Sequence, residues 1–169
     1  LIKAVGVSNY DLEKTQTAHS VLQKRGYRLA SNQVEYHLLE RSIEANGVMS
    51  YCQDQGIKII AYSPLAMGIL TGKYTPEHLP KGTRAVQYNS TYLSKVAPLL
   101  KALMRIGNDH DAKTAGQVAL NWLIRKGVLP IPGAKNLNQL QQNLGAVGWE
   151  LSPADIVLLD ELSLKVTSA

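Results

Sequence analysis

The residues best suited to chemistry sit where one apolar run stops. Ile57 to Ala61 is short and rich in β-branched residues, and Tyr62, Ser63 and Pro64 follow it. Such a run predicts a strand buried on both faces, as in a parallel sheet. Pro64 has no N–H for a ladder, so the strand ends there. A phenol ring and a hydroxyl are left at the strand's C-terminal tip, the end at which α/β folds bind ligands. A permissive loop with Gly68 and Gly72 comes next, then the cations Lys73 and Arg84. Ring, hydroxyl, close-approaching backbone and positive charge, in that order, suit a flat heterocycle joined to phosphates. A second candidate is the turn Ile131 to Lys135 ahead of a helix, since such turns bind phosphate. It leaves a sugar phosphate open as the ligand, although a stacking ring favours a heterocycle. Each residue also has a plainer reading: a strand-end aromatic packed in the core, or loop charges in solvent.

Other reactive groups carry less. Cys52 is a single cysteine on an expected helix, read as a small buried side chain. His19, His78 and His110 have no metal-ligand spacing. His37 is read either as lining a substrate pocket or as packed or exposed. Glu35 stands alone on a strand, which suits an ion pair better than a general acid. Gln33 alone could be a satisfied core amide, and Ser8-Asn9 alone an ordinary turn pair. Trp122 and Trp149 read as packing residues.

The elements that must position these groups alternate. Strands are expected at Leu1 to Val7, Leu29 to Tyr36, Ile57 to Tyr62 and Val128 to Pro132. Helices are expected at Asp11 to Arg25, Ile43 to Gln55, Tyr92 to Ile106, Thr114 to Lys126, from Asn136 or Asn138 to Leu144, and after Ser152-Pro153. Asp11, Thr114 and Ser152 are capping types in the right places. Gly72 to Ser90 reads as a long loop of the kind that often works as a lid. Strand–helix alternation with short connections argues for parallel pairing in an α/β fold. Four such strands fit an open sheet or half of an eightfold barrel. No Gly-x-Gly-x-x-Gly follows the first strand, which disfavours the dinucleotide fold with that fingerprint.

The 169 residues amount to one domain, 1–169, with 45% hydrophobic residues for a core and 18% charged residues. The net charge of +5 permits anionic ligands. The basic residues are scattered without interleaved aromatics, so nucleic acid is not expected as a partner. No stretch reads as a membrane span or signal peptide, and one cysteine fits a reducing interior. Because the sequence opens inside an apolar run, Leu1 is read as a cut edge.

With these segments in place, the chain resembles the C-terminal half of an aldo-keto reductase. The resemblance rests on A-V-G-V-S-N-Y at Ala4 to Tyr10, N-Q-V-E-Y-H at Asn32 to His37, A-Y-S-P-L-A-M-G-I-L-T-G-K-Y at Ala61 to Tyr74, and I-P-G-A-K-N with Q-L-Q-Q-N at Ile131 to Asn143. It is nearest the branch with potassium-channel β subunits and plant and cyanobacterial reductases. It implies a TIM barrel of which this chain holds strands five to eight, a cytoplasmic or plastid setting, and NADP(H)-dependent reduction of an aldehyde or ketone.

By the same resemblance, Ser8, Asn9 and Gln33 hold the nicotinamide carboxamide and Tyr62 stacks on its ring. Ser63, Pro64, Leu65, Ala66 and Gly68 line the pyrophosphate, with Lys73 and Arg84 closing over it. Gly133, Lys135, Gln139, Gln142 and Asn143 hold the adenosine end, and Lys135 suits the 2′-phosphate of NADP. Positions 139 and 142 are Gln where many relatives have Arg and Glu, so phosphate preference rests on Lys135 and Arg84. The family's catalytic Asp, Tyr, Lys and His all fall in the first half of the barrel, outside this stretch. No catalytic residue is therefore assigned, and the chain alone is expected to be inactive. A non-catalytic nucleotide- or partner-binding subunit is the alternative. Two open sheet edges lead to the expectation that the isolated chain self-associates.

Overall fold

The computed structural model describes residues 2–82 and 88–167. Four strands form one parallel sheet in the order β1 (Val5–Ser8), β2 (Leu29–Glu35), β3 (Lys58–Tyr62) and β4 (Leu129–Pro130). Helices α1 (Leu12–Lys24), α2 (Ser42–Ala45) and α3 (Val48–Asp54) join the first three strands. A 3₁₀ segment (Ala66–Thr71), α4 (Ser90–Asp109) and α5 (Ala115–Arg125) precede β4, and α6 (Leu137–Leu144) and α7 (Pro153–Thr167) follow it.

Local chemistry sets most boundaries. Asp11 caps α1 by accepting from Lys14 N at 2.9 Å, and Gly26 leaves the helix at φ 76°. Asn89 caps α4 and Asn136 caps α6 in the same way. Thr114 and Gln117 form a reciprocal capping box on α5. Ser152 and Asp155 exchange equivalent bonds at the start of α7.

Several expected boundaries are corrected. The helix expected over Ile43 to Gln55 is two helices, because Gly47 adopts a left-handed φ of 84° and Asn46 Oδ1 accepts from Val48 N at 3.1 Å to start α3 afresh. The first strand begins at Val5, the first residue with a partner on β2 (Leu29). The fourth strand shrinks to two residues because Pro130 and Pro132 remove ladder donors, although Ile131 N still reaches Ala61 O at 3.0 Å. The chain from Ala66 to Thr71 forms short 3₁₀ turns broken by a kink at Met67 and Gly68, whose φ of 52° and 95° are not helical.

β3 is buried on one face only. Ile59 and Ala61 lie under helices, whereas Lys58 is exposed and Ile60 and Tyr62 are half-buried. The same holds for β2, where Asn32 and Val34 are buried and Ser31, Gln33 and Glu35 are not. The core therefore lies between the sheet's helix-facing side and α3, α4, α5 and α7, around Trp122, Tyr36, Leu38, Leu99, Leu103 and Leu123. The opposite sheet face carries no second layer among the described residues.

A polar staple ties the far elements together. Arg41 bridges Glu44 and Asp160, Trp122 Nε1 donates to Asp160 Oδ1 at 3.0 Å, and Lys126 reaches Asp160 Oδ2 at 2.8 Å. Tyr36 donates its hydroxyl to Glu44, and burial and that carboxylate push the phenol's pKa up.

Candidate functional site

Parallel register brings the strand tips side by side. Ser8 pairs with Gln33, Gln33 with Ile60, and Glu35 with Tyr62, so Ser8, Gln33 and Tyr62 share the open face of the sheet. Ser8 Oγ donates to Gln33 O at 3.0 Å and Asn9 N donates to the same carbonyl at 2.9 Å. Asn9 sits at φ 57°, a left-handed conformation that Asn tolerates better than most residues. The turn after it is fastened from below: buried Asn32 donates to Tyr10 O at 2.9 Å and to Thr15 Oγ1 at 3.1 Å. Among the described residues the Asn9 and Gln33 side-chain amides are left without hydrogen-bond partners, so donors and acceptors are on offer at the tips.

Beyond the tips of β3 and β4 lies a cavity of about 600 Å³. Ser63, Pro64, Leu65, Gly68 and Lys73 form one wall, and Gly133, Lys135, Gln139, Gln142 and Asn143 the other. Most residues expected at the pyrophosphate and adenosine ends are thus brought together. Ala66 is buried beneath this loop rather than lining it. Arg84 lies outside the described residues. Ser8, Asn9, Gln33 and Tyr62 stand at the strand tips and not among the cavity's lining residues.

The loop wall is strained in a consistent way. Ser63, Ala66 and Met67 have φ of 49°, 49° and 52°, and Gly68 has 95°. Consecutive left-handed non-glycine residues are costly and cluster at binding sites. At Gly68 the missing side chain has a use. A Cβ there would stand 2.8 Å from Lys73 Cε and Nζ, so the ammonium lies directly against the loop backbone.

The charge balance of the cavity is one-sided. Among the described residues Lys73 and Lys135 line it and no Asp or Glu does. Among the described residues neither lysine is paired with a carboxylate, although Lys73 Nζ lies 4.8 Å from the Tyr74 ring centroid. The first turns of α5 and α6 meet the cavity, and neither contains an acidic residue. Helix N-termini and unpaired cations both favour an anion. The side chains expected to hold adenosine also brace their own wall: Gln139 Oε1 accepts from Lys135 N at 2.7 Å, and Asn143 Nδ2 donates to Gly133 O at 3.3 Å. A cavity of similar size, about 590 Å³, runs between β1 and α1, but it is lined by Asp11 and Glu13 as well as Lys14 and lacks this bias.

Sequence reasoning missed Thr71, Thr114, Gly116 and Gln117, which also line the cavity. Thr114 was visible only as a cap. Gln117 was findable from the T-x-x-Q spacing of a capping box.

The remaining candidates resolve as structure. His37 is buried, with Nδ1 accepting from Leu39 N at 3.1 Å and Nε2 3.4 Å from Glu35 Oε1. Burial pulls its pKa down, against the pull of Glu35. Cys52 is fully buried, and burial pushes its thiol up to about 11, which suits packing. His19 Nδ1 meets the Tyr51 hydroxyl at 2.8 Å, joining α1 to α3.

The aldo/keto reductase family profile matches residues 1–164, and the chain belongs to that family. It is 44% identical over 152 residues to a chloroplastic pyridoxal reductase of Arabidopsis thaliana, covering 90% of this chain and 41% of that protein. It is 33% identical over 163 residues to an NADP(+) aldo-keto reductase of Schizosaccharomyces pombe, covering 92% of this chain and 46% of that one. A thermostable aldo-keto reductase solved with the inhibitor epalrestat superposes with a TM-score of 0.73 at 29% identity, over 96% of this chain and 49% of its own. A glycerol dehydrogenase from Gluconobacter oxydans superposes at 0.86 with 23% identity, over 99% and 51%, and supports the fold alone. The chain thus spans about half the length of the relatives it matches. The family is one of oxidoreductases, so the sugar-phosphate reading is set aside.

Proposed function

We propose that this chain is the coenzyme-holding half, strands five to eight, of a TIM-barrel reductase that uses NADP(H) on an aldehyde or ketone. The observation that carries the reading is the cavity with two lysines unpaired among the described residues, two helix N-termini and no described carboxylate, set beside strand tips that offer free amides. Its donor set fits a dinucleotide carrying phosphates. Lys73 and the strained 63–68 loop would neutralise and cradle the pyrophosphate. Lys135 would meet the 2′-phosphate, with Gln139, Gln142 and Asn143 at the adenosine. Asn9 and Gln33 would orient the carboxamide, and the Tyr62 ring would shield one ring face from water. The coenzyme, when bound, supplies the hydride.

No group on this chain is assigned the proton for the carbonyl oxygen. The family resemblance assigns that work to the Asp, Tyr, Lys and His of the other half-barrel. The chain alone is accordingly a binder without turnover. The named NADP(+) relative supports the coenzyme, and the named pyridoxal reductase makes pyridoxal the first aldehyde to try.

The test has two arms. NADPH is titrated into the chain by fluorescence, and NADPH oxidation with pyridoxal and simple aldehydes is followed after the upstream half of the plant relative is joined to it. Binding by the chain and turnover only in the joined protein is the expected result. Binding with no turnover in any joined form favours the second reading, a nucleotide-binding subunit without catalysis. No binding in either form sinks both.

A further inference from the structure

Helix α6 carries much of one cavity wall, yet it has no buried side chain. Its leucines Leu137, Leu140 and Leu144 are 68%, 46% and 58% exposed. Core packing therefore does not set its position. Polar clamps from α5 do. Gln117 Nε2 donates to Gln142 O at 3.0 Å, across the cavity's end. That carbonyl belongs to the last turn of α6, where backbone acceptors have no intrahelical donor. Ala146 N, its ordinary partner, bonds instead to Asn143 O at 3.1 Å. The other end of the Gln117 amide is fixed too, since Oε1 accepts from Thr114 N at 2.8 Å. One turn on, Asn121 holds the chain after α6 through Ala146 O at 3.0 Å and Trp149 O at 2.9 Å. Gly145 completes the clamp, because a methyl there would overlap the Gln117 amide nitrogen.

We infer that Gln117 is a positioning residue for the phosphate end of the cavity: its amide sets the gap between the two walls and thereby where Lys135 and Gln139 stand. The inference rests on the coenzyme reading above and deepens it. Because Lys135 is the cation suited to a 2′-phosphate, the clamp governs the preference for NADPH over NADH, beyond a general hold on nucleotide.

Two substitutions break the clamp from opposite sides. Gln117→Ala removes the amide. Gly145→Ala displaces it, at a residue whose φ of −65° and ψ of −4° any side chain accepts, and leaves the bond from Gln117 N to Thr114 Oγ1 in place. Hydrogen exchange over residues 133–145 of the free chain, and dissociation constants for NADPH and NADH, are measured for each variant and for the double variant. Losing one net hydrogen bond predicts exchange about tenfold faster over that stretch, and a fall of about five- to tenfold in the NADPH-over-NADH ratio. The double variant is expected to be no worse than Gln117→Ala alone, since the methyl then has nothing to displace. Unchanged exchange in both single variants overturns the clamp. Equal weakening of NADPH and NADH overturns the positioning role and leaves a merely structural one. A parent chain that binds neither dinucleotide sinks the coenzyme reading and the preference with it, while the exchange result still decides the clamp.

Discussion

Gly68 is the residue at which backbone and charge constrain each other most tightly. Its φ of 95° is open to glycine and strained for other residues, and the Lys73 ammonium fills the space a side chain would take. Gly68→Ala is expected to cost about 1 kcal/mol or more and to lower the melting temperature by roughly 2–4 °C. It should also weaken NADPH, because Lys73 must swing away, and calorimetry with a titration checks both. His37 supplies a pH-dependent prediction. Its pKa is lowered in the folded chain by burial, so below the ordinary value near 6.5 the unfolded chain binds the proton more readily. Stability is then present above that pH and lost as pH falls from there through the lowered folded value. His37→Gln should flatten the urea midpoint between about pH 6.5 and 5 relative to the parent. A midpoint curve in the variant that matches the parent's would refute this assignment.

At the scale of elements, capping chemistry was legible in the sequence and long-range packing was not. Asp11 and Thr114 could be read as caps, and Asn136 as one of two choices with Asn138, because a capping side chain acts on backbone two or three residues away. The break at Gly47 carried a signal, an Asn-Gly pair, that apolar spacing overrode. The fate of Ile57 to Ala61 could not be read, since composition reports apolarity and not what will cover each face. Likewise, nothing local marks Gln117 as reaching a carbonyl 25 residues away. The Asp160 staple is another product of packing, gathering Arg41, Trp122 and Lys126 from separate elements. Asp160→Ala strands the partly buried Lys126 ammonium and an indole N–H, while Arg41 keeps Glu44 and the backbone carbonyl of residue 160. A loss of about 2–3 kcal/mol is expected, read from urea midpoints at neutral pH. A loss within about 0.5 kcal/mol would show the staple to be a surface pairing.

For the molecule as a whole, the two ends of the sheet are bare strands. Among the described residues β1 pairs only with β2 and β4 only with β3. Apolar side chains flank both ends: Val21, which lines a cavity with Val5 and Val7, is 48% exposed near the first, and Leu129 and Ile131 are 52% and 43% exposed at the last. Exposed edges with apolar flanks promote association. The isolated chain is expected to run as a dimer or larger species whose mass rises with concentration in light scattering. A monodisperse monomer with a cooperative melt would contradict this.

The cavity also has a property of linear order. Among the described residues, those that line it all fall between Ser63 and Asn143. On the coenzyme reading proposed above, the preference between NADPH and NADH would then be written in a cassette separable from whatever recognises the carbonyl compound. Exchanging upstream segments among relatives should transfer appetite for a new aldehyde while leaving the electron source as it was.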